Sequence, residues 1–172
     1  MDMDTDTTLE LQLLLRHPRS TDGHEVNRLI ARCKPLDTNS TYCNLLQCLH
    51  FAETCMLAED EEDGSLLGFI SAYRKPTDPS TLFVWQVAID KRARGEGLAR
   101  TLLDTILGSP ACEGVTHVET TITADNTASW ALFDSLARDQ GKGQGVRHVL
   151  FDRERHFDGA SKSEILYRIP LA

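Results

Sequence analysis

Arg92-Ala93-Arg94-Gly95-Glu96-Gly97-Leu98-Ala99 joins an apolar run, Leu82-Phe83-Val84-Trp85-Gln86-Val87-Ala88-Ile89, to a helical pattern. A glycine-bearing turn from strand to helix aims several backbone N–H groups at one point, where the helix dipole also favours negative charge. The chemistry on offer is the binding of a phosphate. Lys91, Arg92, Arg94 and Arg100 crowd into ten residues of a chain whose formal net charge is -8. A local charge opposite in sign to the global one points to an anionic ligand rather than to a solvated charge run. The turn lacks the Gly-Lys-Ser/Thr ending of a triphosphate loop, and Gly95-x-Gly97-x-x-Arg100 lacks the third glycine of a dinucleotide fingerprint.

Other residues could carry chemistry, each beside a plainer role. Asn126 opens a helical pattern, where its amide could meet a ligand, cap the helix, or do both. Asp37-Thr38-Asn39-Ser40 connects two helical patterns and offers a carboxylate for a cation, yet each of these residues could equally cap the helix that follows. Tyr42 carries a phenol that could move a proton or could simply pack on its helix, and Trp85 could wall a pocket or fill a core.

The elements that must position these residues follow from periodicity. Residues 1–8 are acidic and threonine-rich without periodicity, which predicts a disordered tail before a single domain over 9–172. Leu9, Leu11, Leu13 and Leu15 alternate as in a half-buried strand. Ser20-Thr21-Asp22 could cap a helix carrying Val26, Leu29, Ile30 and Cys33, which Pro35 would end. Tyr42, Leu45, Leu46 and Leu49 form a second helical stripe. Cys55 to Ala58 and Leu66 to Tyr73 read as a hairpin turning at Glu61-Glu62-Asp63-Gly64. Lys75-Pro76-Thr77-Asp78-Pro79 reads as a loop before the Leu82 to Ile89 strand. Leu98, Leu102, Ile106 and Leu107 give a helix ending at Gly108-Ser109-Pro110. Val115 to Thr123 is a β-branched strand, Thr127 to Arg138 a helix, and Val146 to Asp152 and Ile165 to Ile169 two last strands around a polar insertion. Gln140-Gly141-Lys142-Gly143-Gln144-Gly145 reads as a linker.

At 172 residues and 41% hydrophobic the chain suits one well-filled core. Five cysteines without a Cys-x-x-Cys pair, and no signal-peptide pattern, read as reduced thiols in the cytoplasm. The six histidines form no His-Glu-x-x-His arrangement, so no metal is expected. The apolar runs are far shorter than the ~20 residues of a membrane span, and a pI near 5.2 argues against nucleic acid.

The order strand, Arg94-x-x-Gly97-x-Ala99, helix, strand, then Asn126 on a following helix resembles the GCN5-related N-acetyltransferase (GNAT) superfamily. That resemblance implies an α+β fold, a mixed and mostly antiparallel twisted sheet splayed at the donor strand and flanked by helices. It implies acetyl-CoA held by Val87, Ala88 and Ile89, by Arg94, Gly95, Gly97, Leu98, Ala99 and Arg100, and by Asn126. Phe133 stands where many members carry a tyrosine that protonates the departing thiolate, and a phenyl ring has no proton to give.

A longer match narrows the acceptor. Cys33 to Leu46, Trp85-Gln86-Val87, Glu119 to Asn126 and Leu166 to Ile169 resemble the diaminobutyrate acetyltransferases of ectoine biosynthesis. The resemblance implies acetyl transfer to the γ-amino group of L-2,4-diaminobutyrate by a homodimer, with Asp37, Thr38, Asn39, Ser40, Trp85 and Glu164 around the substrate. The family commonly has a histidine where this chain has Ser161, and His156 is the nearest alternative. Another small amine as acceptor, or an acyl-CoA-sensing module without chemistry, remain the rival expectations.

Such an acceptor sets its own requirement. An alkylammonium of pKa near 10 is only about one part in a thousand neutral at pH 7, which costs roughly 4 kcal/mol to reverse. A base or a desolvating pocket must supply part of this. With Phe133 silent, Tyr42 becomes the candidate for proton transfer.

Overall fold

Alternation turns the leucine-rich start into an edge strand, β1 (Leu13–Arg16), with Leu13 and Leu15 packed inward and Leu14 exposed. This computed structural model describes residues 12–140 and 144–172. The tail expected over 1–8, Leu9 and Leu11 of the first alternation, and Gly141-Lys142-Gly143 of the glycine-rich stretch lie outside the described residues.

Helices α1 (Gly23–Arg32) and α2 (Thr41–His50) follow, the second capped by the Ser40 hydroxyl, which accepts from the Cys43 N–H. Ser20-Thr21-Asp22 forms a short 3-10 turn instead of a simple cap. The Asp22 carboxylate accepts from the Arg19 N–H and from Arg16. Strands β2 (Met56–Asp60), β3 (Leu66–Lys75) and β4 (Asp78–Ile89) form a meander. The chain then runs through the glycine turn into α3 (Leu98–Leu107), strand β5 (His117–Ile122) and helix α4 (Thr127–Asp139). Strand β6 (Val146–Phe151), the short helix α5 (Arg153–Phe157) and strand β7 (Glu164–Pro170) complete it. The polar insertion therefore holds a helix.

The expected loop over Lys75 to Pro79 is mostly strand. The β3–β4 turn is confined to Pro76-Thr77, and β4 starts at Asp78. Pro79 is tolerated because the register jumps there, from Lys75 opposite Asp78 to Arg74 opposite Leu82, so the ladder asks no N–H of it.

The seven described strands form one sheet in the order β1-β2-β3-β4-β5-β7-β6, parallel only between β4 and β5. The expected α+β architecture of a mixed, mostly antiparallel sheet flanked by helices is the one observed. Leu82 and Val84 face the layer of α3 and α4, among Leu102, Leu103, Ile106, Phe133 and Leu136. Ala88 faces the other layer, with Val26, Leu29 and Ile30 of α1. Each such aliphatic side chain removed from water contributes about 1.5–3 kcal/mol before the entropy of ordering is subtracted. No described helix is long and apolar enough to cross a membrane.

Two irregularities in β4 prepare the site. Its pairing with β5 ends at Val84 opposite Thr120, where the Thr120 hydroxyl donates to the Val84 carbonyl at 3.1 Å. Beyond that clasp the two strands part. On the β3 side Ser71 pairs with Gln86 and Ala72 with Val84, so Trp85 is an extra residue in a bulge, and the Ser71 hydroxyl accepts from the Gln86 N–H at 3.1 Å. A bulge bends the strand and re-aims side chains around it.

Candidate active site

The Asp90 N–H donates to the Leu67 carbonyl, which continues the β3–β4 ladder and fixes its phase. In that phase the backbone groups of Ala88 meet β3, whereas those of Val87 and Ile89 turn toward the gap left by β5. Val87 and Ile89 also line a cleft of about 560 Å³ at this gap. Ala88 is fully buried on the opposite face, so it supports the donor strand without lining the cleft.

The glycine turn forms the floor of the same cleft. Arg94, Gly95, Gly97, Leu98, Ala99 and Arg100 all line it, as does Asn126 from the start of α4. Gly95 and Gly97 have φ of 83° and 73°, a region that costs an L side chain strain, and nothing lies within 4 Å of where their Cβ atoms would be. The first helical bond of α3 is made by the Thr101 N–H, so the N–H groups of Leu98, Ala99 and Arg100 have no acceptor within the helix. Open space, unused donors and the positive end of a helix dipole fit a diphosphate.

The cations near this turn divide their labour. Arg100 is held by Asp104 at 2.9 Å and Asp139 at 2.8 Å, whose pull on the guanidinium outweighs its burial and raises its pKa. Arg94 has no carboxylate partner among the described residues, and its Nε donates to the Ile89 carbonyl at 3.0 Å. Arg94 thus keeps its charge available to an anion, and Arg100 clamps α3 to α4. Asn126 does cap α4, its Oδ1 accepting from the Ser129 N–H, and still lines the cleft.

Phe133 points into the core at 1% exposure, and the cleft wall on α4 is made by Ala128, Ser129, Ala131, Leu132 and Ser135. The helix brings no tyrosine to the cleft.

At the other end of the cleft, Cys33, Lys34, Pro35 and Leu36 lead directly into Asp37. The Gln86 side chain holds this segment against β4, its Nε2 donating to the Asp37 carbonyl at 3.1 Å and its Oε1 accepting from Asn39 at 2.6 Å. Thr38 is exposed on the same loop, and Ser40 is committed to capping α2. Tyr42, one turn into α2, is 69% exposed.

Glu164 begins β7 on the sheet face away from α3 and α4, the face that also carries Thr121 and Phe83. Its carboxyl is pushed up from the ordinary glutamate range by burial, then by the nearby Asp37 carboxylate, against a lowering hydrogen bond from Thr121. Two carboxylates from distant segments are thus near enough for one to feel the charge of the other. Trp85 is 40% exposed, and its ring meets Tyr73 edge-on at 5.9 Å.

His156 lies beside Phe151, the residue opposite Glu164 in the β6–β7 pair. Its Nδ1 accepts from the Asp152 N–H at 2.8 Å and its ring packs edge-on against Phe151, so it serves the start of α5. Among the described residues no cluster of His, Cys, Asp and Glu could hold a metal. Burial raises the Cys48 and Cys55 thiols to about 11 and about 12, which keeps them protonated and unreactive at neutral pH.

Sequence reasoning missed Gln86, Ser71 and Thr121 as parts of the site. For Gln86 a signal existed, since an amide between Trp85 and Val87 interrupts an otherwise apolar strand.

The sequence model of the Acetyltransferase (GNAT) family matches residues 24–137. L-2,4-diaminobutyric acid acetyltransferase from Vibrio cholerae is 48% identical over 161 residues, which cover 94% of this chain and 91% of the relative. The protein of the same name from Streptomyces coelicolor is 44% identical over 168 residues, covering 96% of this chain and 98% of its own. A solved structure of diaminobutyrate acetyltransferase EctA from Paenibacillus lautus, in complex with its substrate L-2,4-diaminobutyric acid and coenzyme A, superposes with a TM-score of 0.87 at 38% identity. That match covers 94% of this chain and 96% of the other.

Proposed function

Because this chain belongs to the GNAT acetyltransferase family, with diaminobutyrate acetyltransferases matching it along nearly their whole length, we propose that it transfers an acetyl group from acetyl-CoA to the γ-nitrogen of L-2,4-diaminobutyrate. The product is the N-γ-acetyl compound used in ectoine biosynthesis. The observation that carries the acceptor is the Asp37 segment, which leaves the end of the cleft and is held to the donor strand by Gln86 at 3.1 Å, with the Glu164 carboxyl near enough to feel the Asp37 charge. A diamino acid brings two ammonium groups, and a pair of carboxylates gives them partners where a single one would leave a charge uncompensated.

Acetyl-CoA supplies an acyl carbon already activated as a thioester. The N–H groups of Leu98, Ala99 and Arg100, with Arg94, take the diphosphate, and Val87 and Ile89 run along the pantetheine arm. The Val87 N–H faces the gap and is placed to donate to the acyl oxygen as negative charge grows there.

Glu164, more basic than a free glutamate, removes the proton that keeps the γ-ammonium from attacking. Asp37 holds the substrate's remaining charge, Trp85 closes the pocket, and Thr38 offers a hydroxyl to the polar end of the substrate. Tyr42 gives its phenolic proton to the leaving thiolate, the role that Phe133 cannot fill, and regains one from the second proton that the nitrogen sheds as the amide forms. The selection of γ over α nitrogen belongs to pocket geometry, since the γ-ammonium is the harder of the two to deprotonate.

The chain works as a cytoplasmic homodimer in this reading. Leu45 and Leu49 on α2 and Phe51 just past its end are apolar and exposed, and two-fold pairs are the commonest oligomers.

The test is direct: purified protein is incubated with acetyl-CoA and a panel of amines, and the acetyl group is located by NMR. Acetyl on the γ-nitrogen of diaminobutyrate is expected. Indifference to diaminobutyrate, or acetylation at the α-nitrogen, would overturn the reading.

A further inference from the structure

Gln86 is the point at which the donor and acceptor halves of the site meet. Its backbone belongs to the donor strand, one residue before Val87. Its N–H is taken by the Ser71 hydroxyl at 3.1 Å, which fixes the bulge at Trp85. Its side chain leaves the opposite face of the sheet from Val87, as strand alternation requires, and reaches the acceptor loop. There it bonds the loop through both ends of its amide, Nε2 donating to the Asp37 carbonyl at 3.1 Å and Oε1 accepting from Asn39 Nδ2 at 2.6 Å.

The loop is held from its other side by a chain of amides. Asn27 of α1 donates through Nδ2 to the Asn39 carbonyl at 2.8 Å and to the Asn44 Oδ1 at 2.9 Å. Asn44 donates in turn to the Gln47 Oε1 at 2.8 Å, and both of these α2 residues are completely buried. The helices thus fix Asn39, and Asn39 and Asp37 are fixed to β4 by Gln86. Ordinary apolar packing would have filled the same space. A bonded amide instead sets a distance, because its two hydrogen bonds weaken steeply when either partner shifts.

We propose that Gln86 is a positioning residue that sets the height of the Asp37 segment above the donor strand, and thereby the distance between the acceptor nitrogen and the acyl carbon. It touches neither substrate. The inference rests on the reading that Asp37 holds a substrate ammonium group. Near-attack geometry places reacting atoms about 3 Å apart, and a misplacement of about 1 Å costs up to about 100-fold. A donor strand and an acceptor loop tied through one side chain meet that tolerance better than two elements packed independently.

The experiment compares Gln86→Met, Asn39→Ala, the double variant and Asp37→Asn, with KM for each substrate, kcat and melting temperature measured on the full chain. Methionine keeps the length and volume of glutamine and removes both bonds. Gln86→Met is expected to lower kcat/KM for diaminobutyrate by about 10-fold or more, with kcat itself reduced, while KM for acetyl-CoA stays within about 2-fold, the split that separates positioning of the acceptor from general loss of structure. The double variant should be no worse than the worse single one, since both remove the same tie. Asn39→Ala tests the tie from the loop side should the strand variant fail to fold.

If Asp37→Asn raises KM for diaminobutyrate and the Gln86 and Asn39 variants leave both kcat and that KM unchanged, the positioning role is wrong and the reading of Asp37 stands. If Asp37→Asn itself leaves KM unchanged, the reading of Asp37 falls and the role of Gln86 with it. A parallel rise in both KM values together with a lower melting temperature would assign Gln86 to the fold alone.

Discussion

Tyr42 and Glu164 differ in how much the fold asks of them, and that difference separates chemistry from stability. With 69% of Tyr42 exposed, removing its hydroxyl leaves packing intact. Tyr42→Phe is expected to lower kcat by about 100-fold, the scale of one lost general-acid step, with no change in the thermal melt. Near-normal turnover would strip Tyr42 of its role. Glu164 carries a pKa above that of a free glutamate because burial and Asp37 disfavour its charge. A raised carboxyl favours the folded state below its unfolded pKa of about 4.3 and loses that contribution as pH rises through the folded value, so at neutral pH Glu164 is a liability to stability. Glu164→Gln should therefore lose about 100-fold in kcat/KM for diaminobutyrate and lose the acid limb of its pH profile, yet melt no lower than the parent. A lower melting temperature together with an unchanged acid limb would refute that division of roles.

At the level of elements, the glycine turn and the hairpin at Gly64 provide a matched pair. Gly97 and Gly64 have φ of 73° and 74°, and neither has an atom within 4 Å of its missing Cβ. An alanine at either costs about 1 kcal/mol of backbone strain. At Gly97 alone the added methyl enters space that lines the cleft. Gly97→Ala is expected to raise KM for acetyl-CoA by 10-fold or more, by an order-of-magnitude reading of lost phosphate contacts, whereas Gly64→Ala melts lower to a similar degree without touching KM. Equal KM values in the two variants would deny the turn its cradle. The turn was legible in the sequence because left-handed backbone and a phosphate cradle both demand glycine, at a spacing that survives without tertiary information. The bulge at Trp85 was not, since it depends on Ser71 of the neighbouring strand taking the Gln86 N–H. His156 hid its local partner for a related reason. Its chain position near Ser161 suggested a shifted loop, but a five-residue helix claims its Nδ1 at Asp152. Pro79 marked a loop by composition and sits in a strand only because the β3–β4 register skips it.

Across the whole molecule, ion pairs tie together elements that the apolar layers leave at the edges, and they fix how the fold responds to acid. Asp22 joins Arg16 of β1 at 2.8 Å, Asp90 at the end of β4 joins Arg32 of α1 at 2.8 Å, and Glu119 of β5 joins both Lys75 of β3 and Arg168 of β7 at 2.8 Å. Arg16 holds the Asp22 carboxyl below its usual range. For Asp90 and Glu119 burial pushes the other way and is outweighed, by the Arg92 N–H and Arg32 in the first case and by Lys75 and Arg168 in the second. A carboxyl depressed in the folded state contributes stability that is present above its unfolded value, about 3.9 for Asp and 4.3 for Glu, and lost as pH falls through its folded value. Acidification from pH 7 toward the pI near 5.2 first relieves the repulsion of a net charge of -8 and the strain at Glu164, both of which favour the fold. The melting temperature should therefore hold or rise slightly down to about pH 5 and fall steeply below about pH 4. Glu119 is the sharpest probe because it is 4% exposed and serves two cations across three strands. Lys75 and Arg168 keep 32% and 34% side-chain exposure, so removing their partner leaves charges that water can still reach. Glu119→Gln should then cost about 1–3 kcal/mol, below the 3–5 kcal/mol of a fully buried pair, and shift the melting temperature at pH 7 by about 3–10 °C. The same variant should lose less on going from pH 5 to pH 3 than the parent, because one of its depressed carboxylates is gone. Melting curves that run parallel for the two proteins across that range would show that the acid sensitivity lies elsewhere.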